Sequence, residues 1–352
     1  MIRVGILGAG IGAEHLQGYR ALPDLFEVVV ICDLDEARAK DIAGGTPTTA
    51  DAGVVFENPQ IDLIDVCLPP HLHVPMSLRA LEAGKSVICE KPIATSLKDV
   101  SVLEKAEAQS GGQIYPVFQY RFGRAMAQLQ ALGDAGLLGA PQMASLETHW
   151  ARRADYYTVP WRGTWAGEKG GAVVGHAIHA HDLLSTLFGK VAQVSAVLDT
   201  RINLIETEDC AALTLKMRNG ALATSSVTLG GADDKTRIKL IYEKLTATSG
   251  SKPYAPMDQD WAFQARDPEN QAAIDAVVAA VPETGAGFTG YLAEVAAAMN
   301  GASNKAVRLA DGRASIELIT AIYASARSGG APVACPVGPD HPLYGGWQPL
   351  ED

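Results

Sequence analysis

Val-Gly-Ile-Leu-Gly-Ala-Gly-Ile-Gly-Ala, residues 4–13, is the stretch that decides how this chain folds. It starts inside an apolar run at residues 2–7, which predicts a buried strand. It ends in residues 12–21, which have the pattern of a helix. A strand that passes through closely spaced glycines into a helix is the first unit of a dinucleotide-binding α/β domain.

The glycines of this stretch fit the pattern G-x-G-x-x-G/A, with Ala13 in the third position. Gly8 would allow the tight turn, and Gly10 would let a pyrophosphate approach the backbone. Ala13 would permit close packing of the helix against the strand. The amides at the start of the helix, from Ile11 onward, would then bind the phosphates. The pattern therefore predicts a dinucleotide site at this turn.

From this stretch to about residue 120, strand patterns alternate with helix patterns. Further strands are predicted at residues 27–32, 63–67, 86–89 and 114–118. Helices are predicted at residues 36–43, 74–83 and 97–109. Such alternation indicates βαβ units in a parallel sheet, so residues 1–120 are predicted to form an α/β Rossmann domain.

Beyond residue 120 the pattern changes to a helix followed by several strand-like runs. The helix is predicted at 125–135, and the strands at 142–150, 191–199, 211–217, 221–229 and 237–242. Asn219-Gly220 between two of these runs is typical of a hairpin turn, since both residues tolerate positive φ. Three more helices, at 269–281, 290–300 and 311–327, precede a tail rich in Gly and Pro. We therefore expect residues 121–352 to form an α+β domain with an open, mainly antiparallel sheet.

The composition narrows the range of functions. The 352 residues suffice for two domains, and 47% of them are hydrophobic, as in an ordinary globular protein. A net charge of −11 argues against nucleic acid and anionic membranes as partners. No apolar run reaches the ~20 residues that cross a bilayer, and no signal-peptide pattern is present, which predicts cytoplasmic residence. The five cysteines are scattered and never form a C-x-x-C pair, which argues against a metal cluster or disulfides.

Asp33 ends the second predicted strand, about 20 residues after the glycine pattern. A carboxylate there would bind both ribose hydroxyls and repel a 2′-phosphate. Leu34 follows, where an enzyme that uses NADP more often has a small polar or basic residue. The same aspartate could instead be only a turn residue after a strand. The sequence favours NAD over NADP as the cofactor.

Glu90-Lys91-Pro92 follows the strand predicted at residues 86–89 and is the most informative motif of the chain. Further motifs follow in a fixed order: Leu68-Pro-Pro-His-Leu-His73, Tyr120-Arg-Phe122, Trp161-Arg162, Gly170-Gly171, His179-Ala-His-Asp182 and Ala321-Ile-Tyr-Ala-Ser-Ala-Arg327. With the glycine pattern and Asp33, they resemble the Gfo/Idh/MocA oxidoreductase family over nearly the whole chain. The resemblance implies a Rossmann domain followed by an open-sheet domain, in agreement with the change of pattern near residue 120.

The resemblance also implies reversible hydride transfer between NAD and a secondary alcohol or hemiacetal carbon of a sugar or cyclitol. Lys91 takes the place of the family's catalytic lysine, at the carboxyl edge of a parallel sheet where ligands bind. A lysine that is partly desolvated near a cofactor cation has a lowered pKa and can exchange a proton with a substrate hydroxyl. Without the family, Lys91 would be interpreted as a surface lysine beside a proline turn. His179 takes the place of the active-site histidine, as a hydrogen-bond donor to the reacting oxygen or as the acid/base partner of Lys91.

The remaining expected contacts come from the family motifs and from polar or aromatic residues near them. The expected cofactor contacts are Gly8, Gly10, Ile11, Asp33, Pro69, His71, His73, Glu90, Lys91, Arg121, Trp161 and Arg162. The expected substrate contacts are Lys91, His149, Arg153, Tyr157, His176 and His179. Aromatic rings stack on the C–H faces of sugars, while Arg, Asp and His bind hydroxyls, so this composition suits a neutral polyol.

The chain departs from the family at Gly175, where many sugar and inositol dehydrogenases have an aspartate one helical turn before the histidine. His176 stands next to it and would share a helix face with His179. We therefore expect His176 either to contact substrate in place of the aspartate or to cap the helix. Asp182 is expected to hold the helix or a backbone amide. Three histidines so close together could suggest a metal, but no cysteine lies nearby and the family needs none, so no metal site is predicted.

Two other functions fit the same motifs. Some relatives are glycosidases that use NAD for transient oxidation and elimination, and others are non-catalytic sensors that regulate transcription. Intact Lys91 and His179 argue against a sensor. An open sheet with an apolar face to cover predicts a homodimer or homotetramer. The aromatic tail at residues 341–347 could complete the site or form an oligomer contact.

Overall fold

The computed structural model describes residues 1–349, which form two compact units. The first unit contains Met1–Phe118 together with Phe288–Ile316, and the second contains Gln119–Gly287 and the chain from Glu317 onward. A single boundary at residue 120 differs from this division, because it assigns residues 288–316 to the second domain. The predicted second domain also includes residues 350–352, which lie outside the described residues.

The first unit has a six-stranded parallel sheet with the strand order β3-β2-β1-β4-β5-β6. Its strands are β1 (Ile2–Leu7), β2 (Phe26–Cys32), β3 (Thr48–Thr49), β4 (Leu63–Val66), β5 (Ser86–Cys89) and β6 (Ile114–Pro116). Its helices up to residue 118 are α1 (Gly12–Arg20), α2 (Glu36–Ala43), α3 (Ala52–Glu57), α4 (His73–Glu82) and α5 (Leu97–Gln109). The predicted Rossmann fold is confirmed, and the ends of its parallel strands lie at one edge of the sheet.

The returning segment of the first unit contacts residues of the N-terminal part directly. The hydroxyl of Tyr291 donates to the backbone oxygen of Tyr115 at 2.7 Å. Arg313 forms an ion pair with Glu104 at 2.9 Å. A Cβ at Gly18 would lie 2.9 Å from Cδ1 of Leu292, so this glycine lets the segment approach α1 closely.

The second unit has an eight-stranded mixed sheet, in which only β7 and β10 pair in parallel. Its strands, in the order β13-β12-β11-β7-β10-β9-β8-β14, are β7 (Pro141–Ala151), β8 (Val191–Asp199), β9 (Cys210–Met217), β10 (Leu222–Thr228), β11 (Gly230–Tyr242), β12 (Leu245–Thr248), β13 (Ala262–Ala265) and β14 (Val333–Ala334). The predicted open, mainly antiparallel sheet is confirmed.

One face of this sheet is buried and the other is open. Along β7, Leu146 and Thr148 are buried, whereas the intervening Glu147 and His149 are partly exposed. Because side chains alternate across a strand, the two sets lie on opposite faces. The remaining α-helices within residues 1–349 are α6 (Arg124–Asp134), α7 (Ile178–Phe188), α8 (Gln271–Ala280), α9 (Gly287–Met299) and α10 (Leu309–Arg327).

A π-helical turn at Val173–Ala177 leads directly into α7. This wider turn follows the paired glycines Gly170 and Gly171 and carries His176. Among residues 1–349, no helix is long and apolar enough to cross a membrane.

Candidate cofactor and substrate sites

The glycine turn between β1 and α1 has room for a ligand above its backbone. Gly8 has a φ of 99°, and a Cβ there would lie 2.3 Å from the backbone oxygen of Cys67, so only glycine fits. A Cβ at Gly10 would meet no atom within 4 Å, which leaves the space where a phosphate group would lie. The tight helix-to-strand contact belongs to Gly12, whose Cβ would lie 3.0 Å from Cγ2 of Ile6. The close packing of helix against strand that was predicted at Ala13 is therefore found at Gly12.

Asp33, directly after β2, is buried and hydrogen-bonded on both carboxylate oxygens. Oδ2 accepts from the amide of Ala9 at 2.7 Å, and Oδ1 accepts from that of Asp35 at 2.8 Å. The guanidinium of Arg38 donates from Nη2 at 2.7 Å and from Nε at 3.2 Å. Burial alone would raise the pKa of Asp33, but these hydrogen bonds outweigh it and lower the pKa. The sequence did not predict the contact between Arg38 and Asp33, because Asp33 lies in the loop that precedes the helix of Arg38.

The segment after β4 has a partly buried proline, an exposed histidine and a buried histidine. Pro69 is partly buried and His71 is exposed in a short 3₁₀ turn. His73 is buried, with Nε2 2.6 Å from the oxygen of Leu68 and Nδ1 2.7 Å from the oxygen of Pro92. Both ring nitrogens are thus used by backbone carbonyls, so His73 ties two loops together. The expected contact of His73 with the cofactor stays a prediction.

Glu90 and Lys91 follow β5 at the carboxyl edge of the parallel sheet. Glu90 is buried, and its Oε2 accepts the backbone N–H of Lys91 at 3.1 Å. Lys91 is partly exposed. The motif therefore combines a fixed carboxylate with a lysine that solvent can reach.

Five polar residues of the first unit form a buried group, the His15 cluster: His15, Tyr19, Asp65, Cys67 and Glu90. Nδ1 of His15 lies 2.8 Å from Oδ2 of Asp65, and Nε2 lies 3.1 Å from Oε1 of Glu90. The Tyr19 hydroxyl donates to Asp65 at 2.8 Å, and Sγ of Cys67 lies 3.4 Å from Nδ1 of His15. The sequence missed this cluster, since Asp65 lies in a run that predicts only a buried strand.

Three members of the His15 cluster are residue types that bind metals, with ligand atoms of His15, Asp65 and Cys67 within 4.8 Å of one another. Both ring nitrogens of His15, however, lie at hydrogen-bond distance from carboxylates. Burial also raises the pKa of the Cys67 thiol far above its ordinary value. The geometry is that of a hydrogen-bonded network.

His176 and His179 contact different aromatic side chains of the second unit. The ring of His179 stacks on Tyr120, with centroids 4.6 Å apart and an interplanar angle of 22°. The ring of His176 meets Trp150 edge-on at 5.2 Å and lies 6.0 Å from Tyr156. The expectation that both share a helix face assumed α-helical spacing, whereas His176 belongs to the π turn.

The two polar residues that follow His179 bind protein groups. Asp182 accepts from Nη2 and Nε of Arg121 at 2.6 and 2.8 Å, so it holds this arginine. The expected role of Asp182 in holding the helix or a backbone amide stays a prediction. Nε2 of His181 lies 2.9 Å from Oγ of Ser225, and burial lowers the pKa of His181 to about 4. His181 is therefore neutral at pH 7 and structural.

Two arginines and an aromatic ring lie beside His176 in the second unit. The guanidinium of Arg162 lies 3.8 Å from the ring centroid of Tyr156, and that of Arg152 lies 5.1 Å from it. Arg152 is also paired with Asp234 at 2.9 Å. In the described part of the chain, Arg162 has no carboxylate within ion-pair distance. Arg152 and Tyr156 are not among the predicted substrate contacts, although each is adjacent to a predicted one, Arg153 or Tyr157.

The three other predicted substrate residues are not brought together. His149 binds Oγ of Ser226 at 2.9 Å on the open face of the sheet, opposite to the face that bears Trp150. Arg153 is exposed. Tyr157 lines a cavity of about 540 Å³ with Arg162, and its buried hydroxyl has no hydrogen-bond partner among residues 1–349. Tyr157 is thus near Arg162, whereas His149 faces away from His176.

Glu208 fixes the segment that precedes His176. Its carboxylate accepts the amides of Gly171 and Val173 at 3.1 Å and the hydroxyl of Tyr323 at 2.9 Å. Burial raises the pKa of Glu208 to about 7. Nothing in the sequence pattern signals this contact, since Glu208 lies 37 residues beyond Gly171.

The aromatic tail folds back on the second unit itself. Trp347 is fully buried, and its indole N–H donates to the oxygen of Lys169 at 2.6 Å. Its ring is parallel to that of Tyr323, with centroids 5.8 Å apart. The tail therefore packs against the loop that leads to His176.

Comparison with known proteins identifies the relatives of the chain. Residues 2–118 match the profile described as "Oxidoreductase family, NAD-binding Rossmann fold", and residues 126–248 match that of the "GFO/IDH/MocA C-terminal domain". An inositol 2-dehydrogenase of Saccharopolyspora erythraea is 35% identical over 150 residues, which are 41% of this chain and 44% of that enzyme. The chain thus aligns with less than half the length of that curated relative.

Two further relatives cover more of the chain. A myo-inositol 2-dehydrogenase of Thermotoga maritima is 25% identical over 262 residues, which are 71% of this chain and 73% of that enzyme. The WlbA dehydrogenase of Bordetella pertussis, solved in complex with NADH and UDP-GlcNAcA, is 27% identical with a TM-score of 0.83. That similarity covers 96% of this chain and 98% of the other. The cofactor predicted from Asp33, NAD, is confirmed by these matches.

Proposed function

The chain belongs to the GFO/IDH/MocA oxidoreductase family, and from that premise we propose that it transfers a hydride between NAD and a secondary alcohol or hemiacetal carbon of a sugar or cyclitol. The observation that carries the proposal is the Glu90-Lys91 arrangement at the carboxyl edge of the parallel sheet. Ligands of such sheets bind at this edge. A lysine there, partly exposed and next to a buried carboxylate, suits proton exchange with a bound alcohol.

Most of the residues that would hold NAD belong to the first unit. The open space above Gly10 and the free start of α1 suit the pyrophosphate, and Asp33 suits the ribose hydroxyls. When bound, NAD supplies the hydride acceptor of the oxidation. Ile11, which is 45% exposed beside the turn, would cover one side of the bound dinucleotide.

In the direction of oxidation, Nζ of Lys91 would take the proton of the substrate hydroxyl, and a carbonyl would form at that carbon. His179 would donate to or accept from the same oxygen, as a second acid/base group. The stacking of His179 on Tyr120 supports this role, since it fixes the plane of the ring. Without a fixed plane, a ring nitrogen would be aimed poorly at the reacting oxygen.

The residues around His176 suit a hydroxylated ring. Arg162, which stacks on Tyr156, offers a guanidinium without a carboxylate partner in the described chain, and the imidazole of His176 lies beside Trp150. Tyr157 adds a buried hydroxyl in the same cavity as Arg162. A buried polar group of this kind gains from a ligand hydroxyl that pairs with it. We therefore infer that a sugar or cyclitol, and not a flat apolar compound, binds here.

A panel of monosaccharides, sugar acids and inositols, screened for NADH absorbance, tests the reaction. We expect Lys91→Ala to bind NAD with nearly unchanged affinity and to lose at least ~100-fold in kcat, as general acid–base groups contribute on this order. NAD binding is measured by quenching of tryptophan fluorescence. Lys98→Ala, which removes an exposed lysine seven positions further on, is the matched control and should retain full turnover.

Three outcomes separate the alternatives. Unchanged turnover in Lys91→Ala would overturn the assigned proton transfer. Cleavage of a glycoside without net NADH would point to a glycosidase that oxidises its substrate transiently. Binding of sugar and NAD with no turnover on any substrate of the panel would point to a sensor.

A further inference from the structure

The His15 cluster contains two carboxylates around one imidazole, and the proposed reaction uses neither Asp65 nor His15. An ionised carboxylate only accepts hydrogen bonds, so each ring nitrogen of His15 must donate in order to satisfy its partner. A neutral ring has one N–H and would direct the lone pair of the other nitrogen at a carboxylate. In a fully buried site, that arrangement is costly.

The electrostatic surroundings of His15 agree with a charged ring. Burial alone would lower the pKa of His15, but the pKa lies well above its ordinary value of 6.5, mainly because of the charge of Asp65, whose Oδ2 lies 2.8 Å from the ring. The titratable or charged groups in and beside the cluster include Tyr19 on α1, Asp65 on β4, Cys67 after β4, His73 on α4, Cys89 on β5, Glu90 and Lys91 after β5, Tyr115 on β6, and Tyr291 on α9. Phe288 covers the ring of His15 at 4.4 Å between centroids.

We propose that His15 is a positioning residue for Lys91, which stays doubly protonated at neutral pH and fixes the Glu90 carboxylate that holds the Lys91 backbone. Oε1 of Glu90 lies 3.1 Å from the ring of His15, and Oε2 accepts the Lys91 amide at 3.1 Å. One carboxylate thus bridges the buried ring and the backbone of the lysine. Asp65 completes the arrangement, because it holds the other ring nitrogen.

Loss of the His15 charge would act on Lys91 through Glu90. A buried carboxylate that loses its cation either takes up a proton or rotates toward other donors. Either change weakens its hold on the Lys91 amide, so the backbone at this position becomes less well defined. The inference rests on the proposed function, since it concerns the lysine that we assign to proton transfer.

The charge on His15 is tested by NMR of the full chain with ¹⁵N-labelled histidine. Imidazole ¹⁵N shifts distinguish the doubly protonated ring from both neutral tautomers, and His15→Gln identifies the His15 signals by their loss. We expect a doubly protonated ring at pH 8, well above the ordinary histidine pKa of about 6.5. A neutral His15 ring at pH 7 would overturn the proposal.

The effect on Lys91 is tested by kinetics and by its backbone amide signal. We expect His15→Gln to shift the Lys91 amide, to bind NAD within a few-fold of the native chain, and to lower kcat about 10- to 100-fold, as a small displacement of a catalytic group does. The pH dependence of kcat should also shift in His15→Gln. His341→Gln, which replaces a histidine that caps a short turn near the tail, is the matched control.

Glu90→Gln keeps the proposal testable if His15→Gln does not fold. It removes one carboxylate, so we expect the pKa of His15 to fall and the Lys91 amide to shift. Native kcat and an unmoved Lys91 amide in both variants would overturn the positioning role while Lys91→Ala remains inactive. Retained turnover in Lys91→Ala would instead refute the proposed function, and the NMR result for His15 would still stand by itself.

Discussion

Asp33 makes more contacts within its own unit than a carboxylate that only binds ribose would need. It holds the backbone of the glycine turn at Ala9 and also forms a two-bond fork with Arg38. The Asp33 carboxylate, which suits NAD, therefore also holds the guanidinium of Arg38 in place. Since an arginine near this position can accommodate a 2′-phosphate, Arg38 is a group that would favour NADP once released.

We expect Asp33→Ser to shift the preference from NAD toward NADP. The substitution removes the charge that repels a 2′-phosphate and frees Arg38 to bind one. The ratio of kcat/KM for NAD to that for NADP should fall about 10- to 100-fold, which corresponds to loss of one charged hydrogen bond. Asp41→Ser, at an exposed aspartate of α2, serves as the control. A ratio equal to that of the native chain would contradict the role of Asp33 in cofactor choice.

Site residues were predictable where a local motif fixes them. Gly8, Gly10 and Lys91 lie in short patterns whose chemistry depends on adjacent residues. His15 and Asp65 were not predictable, because they are 50 residues apart and meet only through the fold. The sequence around each indicates nothing but a helix and a buried strand.

The π turn at Val173–Ala177 shows how an element can redirect two neighbouring side chains. It separates the contacts of His176 from those of His179, which the α-helical spacing would have aligned. β11 begins at Gly230, whereas its strand was predicted from residue 237, and α3, α7, β3, β12, β13 and β14 were not predicted. The other predicted helix and strand ranges lie within a few residues of the observed ones, since periodicity is local. The π turn has no such signal. It is anchored by Glu208, which comes from far along the chain.

Glu208 makes the stability of this element depend on pH. Its folded pKa of about 7 exceeds the unfolded value of 4.5, so between these values the folded chain binds more protons. The free energy of unfolding contributed by Glu208 is complete below pH 4.5 and is lost as the pH rises through 7. The loss is about 3 kcal/mol, since one pKa unit corresponds to about 1.4 kcal/mol.

Urea unfolding of the native chain and of Glu208→Gln across this pH range measures the effect. The native chain should lose stability relative to the variant as the pH rises, because glutamine does not titrate. Glu206→Gln, at an exposed position two residues earlier, should behave as the native chain does. Parallel pH curves for the native chain and Glu208→Gln would show that the carboxyl has an ordinary pKa.

The open face of the eight-stranded sheet predicts self-association of the molecule. Val197 on β8 is 63% exposed, and Leu222 on β10, on the same face, is 50% exposed. We expect the 37.0 kDa chain to form a dimer or tetramer through this face. Light scattering after gel filtration should give a multiple of that mass, and Val197→Asp should shift the population toward monomer.

Val102→Asp provides the control for this prediction. Val102 is also exposed, at 43%, but lies on α5 of the first unit. The Val102→Asp substitution should leave the mass measured by light scattering unchanged. A native chain that runs as a monomer, or an equal effect of both aspartates, would rule out the open face as the interface.

The division of the chain was the part of the whole molecule that the sequence described least well. The helical patterns near residues 290 and 311 are visible, but the partner of each helix is not. Leu292 meets Gly18 and Arg313 meets Glu104 only after the chain has returned to its first unit. A boundary based on the change of pattern at residue 120 therefore finds where the first unit is interrupted and misses where it resumes.

The return of the chain to its first unit affects how the protein folds while it is translated. The glycine turn and all six strands of its sheet leave the ribosome early, yet Phe288–Ile316 completes that unit only after most of the chain has been translated. Until then, the ring of His15 lacks Phe288, and the backbone oxygen of Tyr115 lacks Tyr291. A nascent chain that stops short of residue 316 thus contains the complete glycine stretch in a unit that cannot yet close.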